Sequence, residues 1–99
     1  MKIKNMTSSS GSAVANQFII EDEGRGALGN FKKRLTFQSY NSVIAIKTFW
    51  EDETRIELDI NKWDYPTTTD KYRNQFLGET KKETQAKIDS GEYKLVNLN

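Results

Sequence analysis

The chain contains no cysteine and no histidine. The first absence excludes disulfides, thiolate nucleophiles and cysteine-ligated metals. The second removes the commonest general base near neutral pH and the commonest ligand for zinc or copper. Any catalysis would fall to carboxylates, lysines, tyrosines and hydroxyls. This inventory predicts a protein that is not an enzyme and holds no cofactor or metal. Proline occurs once, at Pro66. No apolar run approaches the ~18 residues of a bilayer span, and no charged-then-apolar N-terminal segment marks a signal peptide. The expectation is a cytoplasmic protein with no membrane partner.

What remains suffices for one small core. The 99 residues are 35% hydrophobic and 29% charged, and a chain of this length buries only about 60% of its unfolded surface, so a single domain over residues 1–99 is expected. Net charge is +1, yet residues 1–50 hold seven Lys/Arg against three Asp/Glu, and residues 51–99 hold eight against eleven. Such a balanced chain is a poor bulk nucleic-acid binder, and the two halves complement one another.

The pattern is densest between Lys32 and Ile60. Leu35 and Phe37 alternate with Thr36 and Gln38, the period of a strand with one buried face. Val43-Ile44-Ala45-Ile46 is apolar on both faces and reads as a central strand. The acidic Glu51-Asp52-Glu53 then makes a turn, and Arg55 to Ile60 alternates strictly, predicting a hairpin with Ile56, Leu58 and Ile60 facing the core. Upstream, Lys2-Ile3-Lys4 reads as a weak edge strand guarded by lysines. Residues 7–12 read as a flexible loop, with an anion nest of backbone amides as the alternative. Ala13 to Glu21 reads as a strand into the core.

Downstream, Pro66 ends any strand. Thr67 to Thr69 and Asp70 offer caps for a helix carrying Tyr72, Phe76 and Leu77 on one face, stopped by Gly78, with Trp63 and Tyr65 packed beneath it. Thr80-Lys81-Lys82-Glu83 is a capping box opening a second short helix. Tyr93 to Leu98 alternates as a last strand. The fold predicted is α+β: a mainly antiparallel sheet of about five strands with two short helices packed on one face.

No stretch is a specific chemical motif. Gly24-Arg25-Gly26-Ala27-Leu28-Gly29 has the spacing of a dinucleotide fingerprint, but a strand follows where that fingerprint needs a helix, so residues 23–33 read as a long hairpin loop. Arg25, Lys32, Lys33 and Arg34 concentrate positive charge there, a contact surface for an acidic partner or a phosphate. Glu51, Asp52 and Glu53 lack the spacing and central glycine of a calcium loop and read as a solvated turn. Asn16 and Gln17 are side-chain amides that either serve neighbouring loops or read a ligand edge.

Several segments together resemble a known family. They are Val14-Ala15-Asn16-Gln17-Phe18-Ile19-Ile20, Phe37 to Ala45, Trp63-Asp64-Tyr65 with Thr67 to Thr69 and Lys71 to Asn74, and Phe76-Leu77-Gly78-Glu79-Thr80. Together they are similar to a family of small proteins encoded by tailed bacteriophages, departing from it at a longer loop over residues 23–33. The resemblance carries no assigned site residues. It implies a phage accessory protein acting in the cytoplasm of a bacterial host, a class that commonly works by binding. Two functions are therefore expected. One is an anti-CRISPR-like inhibitor that occludes a host defence protein, with the loop from Gly24 to Arg34 and the turn Glu51 to Glu53 as contacts. The other is a sponge for a defence signalling nucleotide. It would use Arg25, Lys32, Lys33 and Arg34 for phosphate and Tyr40, Asn16 and Gln38 for bases, with homo-oligomerisation closing the pocket.

Overall fold

The computed structural model describes residues 1–24 and 31–99. Its elements are β1 (Lys2–Thr7), β2 (Ala13–Glu23), β3 (Lys33–Ser39), β4 (Ser42–Phe49), β5 (Thr54–Asp59), α1 (Thr68–Leu77), α2 (Lys81–Asp89) and β6 (Lys94–Val96). The six strands form one sheet in sequence order. Every pairing is antiparallel except β5 with β6. The fold is α+β as the pattern predicts, with one strand more than anticipated because Lys2–Thr7 pairs along β2. The parallel pair follows from the connection: two helices intervene, and a crossover of that length returns the chain in the same direction.

Strand alternation sorts side chains onto two faces. Ile19, Phe37, Ala45, Leu58 and Leu95 share one row across β2 to β6, and the helices cover that side. Phe37 lies 5.7 Å from the Phe76 ring of α1. Ser39 and Thr69 share a buried 2.8 Å hydrogen bond. Trp63, Tyr72, Phe76 and Tyr93 complete the core with Met6, and Ile88 of α2 packs against it. No helix among the described residues is long and apolar enough to cross a membrane.

Helix ends follow the sequence in part. The capping box at Thr80 and Glu83 is formed in both directions, and Gly78 takes the left-handed conformation, φ 70°, that ends α1. At the start of α1 the N-cap residue Thr67 makes no side-chain cap hydrogen bond. Thr69 is committed to Ser39, and Asp70 to Arg73.

Two expected core positions are corrected. Ile60 is 51% exposed and lies beyond the end of β5, whereas its neighbour Asp59 is 1% exposed. The Asp59 carboxylate accepts N–H bonds from Leu98 at 2.8 Å and Asn61 at 3.1 Å, so the strand ends on a buried polar anchor and Ile60 turns outward. Tyr65 is 46% exposed and does not lie beneath α1; Trp63 alone does.

Candidate functional site

The two charged segments singled out in the sequence meet at one end of the sheet. Lys33 pairs with Phe49 across β3 and β4, and the Lys32 N–H donates to the Phe49 carbonyl at 2.7 Å. This draws the basic segment beside the turn between β4 and β5. Lys32 Nζ lies 3.8 Å from Glu51 Oε1 with both side chains largely in solvent, a pair worth about 0–1 kcal/mol. Asp52 is exposed in the same turn. Glu53 accepts from Arg55 Nε at 2.9 Å.

Aromatic rings support these charges from below. Phe31 is buried and meets Trp50 edge-on at 6.0 Å. The Arg34 guanidinium sits 5.0 Å above Phe31, Lys33 Nζ 5.4 Å above Phe49 and the Arg55 guanidinium 5.6 Å above Trp50. Each cation is thereby held on a ring face, which restricts its long side chain without removing its charge from the surface. Gly24 closes the base of this cluster. Its backbone passes so near Phe31 that a Cβ there would lie 1.8 Å from the Phe31 carbonyl oxygen.

Beside the turn opens a cleft of about 510 Å³, lined by Trp50, Glu53, Arg55, Glu57, Glu92 and Lys94 among others. The Trp50 ring N–H is enclosed with no acceptor among the described residues. Trp50 and Arg55 were not singled out in the sequence, although an aromatic directly before an acidic turn and an arginine directly after it were legible there. Glu92 and Lys94 had no local signal, since only the parallel pairing of β6 brings them to this place.

The residues expected to read a nucleotide are divided. Tyr40 and Asn16 lie at the opposite end of β3, where the Tyr40 N–H donates to the Asn16 carbonyl at 2.6 Å and Gln38 Nε2 donates to the Tyr40 carbonyl at 2.8 Å. At about 3.3 Å per strand residue, Arg34 and Tyr40 stand about 20 Å apart. One protomer therefore does not bring the cations and the base-reading groups together. Arg25 and most of the Gly24 to Gly29 motif lie outside the described residues. Gln17, unlike exposed Asn16, is fully buried on the helix side. Residues Ser8 to Ser12 form a turn whose hydroxyls and amides bond one another, with Ser8 N–H to Ser12 O at 2.8 Å and Ser8 Oγ to Ser10 Oγ at 2.9 Å.

Titration is perturbed away from this end. The Glu79 side chain, 5% exposed, accepts from Lys87 Nζ at 2.8 Å, Thr84 Oγ1 at 2.6 Å and the Tyr93 hydroxyl at 2.7 Å. Burial pushes its carboxyl up, but these three donors together hold it below the ordinary carboxylate value. Burial and the Glu79 carboxylate push the Tyr93 phenol up to about 12. Burial lowers the Lys47 ammonium, with Glu79 opposing. Among the described residues no group of three or more Asp/Glu is placed to hold a metal ion.

A family of unknown function, DUF8033, matches residues 1–92. The chain belongs to that family. No curated protein matches this DUF8033 member, and no solved structure does.

Proposed function

We propose that this DUF8033 protein is a non-enzymatic, phage-encoded binding protein that inhibits a bacterial anti-phage defence by occluding an effector protein. The observation that carries the reading is the meeting of Lys32, Lys33 and Arg34 with Glu51, Asp52 and Glu53 at one end of the sheet, on a base of Phe31, Phe49 and Trp50. A surface with both signs of charge held on aromatic rings suits a protein partner, because charge complementarity fixes register while the rings beneath restrict the cations and lower the cost of ordering them on binding. The phage setting rests on the resemblance of the segments from Val14 to Ile20, Phe37 to Ala45 and Trp63 to Thr80 to phage accessory proteins. The nucleotide sponge is less favoured, because its two halves lie at opposite ends of β3.

The test is phage plating on bacteria that carry a defence system, with and without the protein expressed. Wild-type protein should restore plating on CRISPR-defended cells. A variant combining Lys32→Glu, Lys33→Glu, Glu51→Lys and Asp52→Lys, folded by circular dichroism, should lose that effect. Plating that stays unchanged by the wild-type protein across a panel of defence systems would overturn the reading.

A further inference from the structure

Neither helix lies on the face of the sheet opposite Phe37, and that face carries a cluster of apolar side chains that are partly exposed. Pairing places Ile3, Ile20, Thr36 and Ile46 in one row across β1 to β4. None of these isoleucines belongs to the core closed by the helices, and Ile3 is 58% exposed. The adjacent row is mixed, with Phe18 and Val43 alternating with Asn5 and Gln38. An antiparallel sheet that faces water on one side ordinarily turns polar residues outward. The row becomes charged only at its far end, where Glu57 on β5 and Lys94 on β6 continue it. Further along the strands, on the same face, Asp22 stands opposite Arg34 across β2 and β3.

We infer that this face is the interface of a two-fold dimer of the chain, with the axis running close to the strand direction between β2 and β3. Such an axis lays β2 of one protomer over β3 of the other, and β1 over β4. Ile3 then covers the partner's Ile46, and Ile20 covers the partner's Thr36. Asp22 meets the partner's Arg34, and by symmetry the pair forms twice. Charge selects a second copy as the occupant: an acid and a base at matching positions on adjacent strands complement their own reversal, which is what an isologous interface requires. Glu57 and Lys94, on β5 and β6, fall outside the overlap and stay in solvent. Lys4 pairs with Ile19 on the helix side, so β1 brings no lysine into the contact. Two sheets stacked this way lie about 10 Å apart with strands crossing near 30°.

The experiment uses the full chain in sedimentation velocity over a series from low to high micromolar concentration. A monomer–dimer equilibrium is expected, and Ile46→Lys should weaken it by about tenfold or more, the effect of forcing an unpaired charge into an apolar contact. The overlay itself is read by cross-linking, for which the absence of native cysteine is an advantage. Ile3→Cys and Ile46→Cys proteins should be joined by a short bis-maleimide when mixed, and neither should be joined when alone. Ile3 is exposed, so its substitution leaves folding intact and the cross-link readable. A monomer at every concentration, or linking within a single-thiol sample in place of the mixture, would overturn the inference.

Discussion

Asp59 and Leu98, thirty-nine positions apart, are joined by a 2.8 Å hydrogen bond from the Leu98 N–H to Asp59 Oδ1. The same carboxylate accepts from the Asn61 N–H through its other oxygen, so it both ends β5 and holds the segment that follows β6. Asn99 completes the attachment by bonding the N–H and carbonyl of Val43 at 2.8 and 2.9 Å. Its amide fills the edge of β4 beyond the reach of β5, in the manner of a one-residue strand.

Asp59→Ala should therefore destabilise the fold by about 2–4 kcal/mol, because it strips two N–H groups of a charged acceptor in a buried setting. Asp59→Asn should recover part of the loss. Urea unfolding of the three proteins checks the order, and equal midpoints for Ala and wild type would refute the anchoring role.

Arg73 is fully buried. Its Nη1 donates to the Trp63 carbonyl at 2.7 Å and lies 2.6 Å from Asp70 Oδ1, and Nη2 donates to Asn74 Oδ1 at 2.7 Å. The guanidinium also stacks 5.4 Å over the Trp63 ring. Lysine cannot reproduce this planar fork, so Arg73→Lys should cost about 2–3 kcal/mol despite keeping the charge. Thermal unfolding followed by circular dichroism measures it; a loss below about 0.5 kcal/mol, the size of an ordinary surface change, would contradict the assignment.

The alternating strands, the capping box and the Gly78 stop were legible because each depends on residues close in sequence. The buried roles of Asp59 and Arg73 were not. Besides local partners, each depends on a group from another segment, the Leu98 N–H for Asp59 and the Trp63 carbonyl for Arg73, and no local pattern announces such a partner. The same limit explains Ile60, which continues the apolar alternation by one step while the backbone has already turned at Asp59. At the candidate site, the charges on Lys32 to Arg34 and Glu51 to Glu53 were read from composition. Their meeting at one end depends on the register of Lys33 with Phe49. The separation of Arg34 from Tyr40 follows from strand length, which a grouping of residues by chemistry alone does not register.

Gly24→Ala should disturb the loop end specifically. The added methyl would overlap the Phe31 carbonyl oxygen and lie 2.3 Å from the Phe31 ring, so the backbone must shift at a cost of about 1–3 kcal/mol. Because Phe31 touches Trp50, tryptophan fluorescence should change as well. Unaltered fluorescence and stability would show that this close approach is not maintained.

The cluster around Glu79 predicts opposite behaviour at the two ends of the pH scale. Its carboxyl titrates lower in the folded chain than in the unfolded one, so the unfolded state takes up protons first as pH falls. Stability from Glu79 is fully present above the ordinary glutamate range and declines as pH drops through the lower folded value. Asp59, also held low by its N–H donors against the effect of burial, adds to the same acid decline, so the Glu79 share must be isolated by difference. Glu79→Gln should lose about 2 kcal/mol at neutral pH and converge with wild type in strong acid. Tyr93 gives the other arm. Its phenol is raised to about 12, so its contribution is intact below the ordinary tyrosine value and is lost as pH rises toward 12. Tyr93→Phe should flatten that alkaline decline, and Glu79→Gln should reduce it, since the carboxylate is one of the causes of the raised value. Melting temperatures of the three proteins across the pH range supply the check. An acid decline of the same depth in Glu79→Gln as in wild type would show that the carboxylate does not titrate in this way.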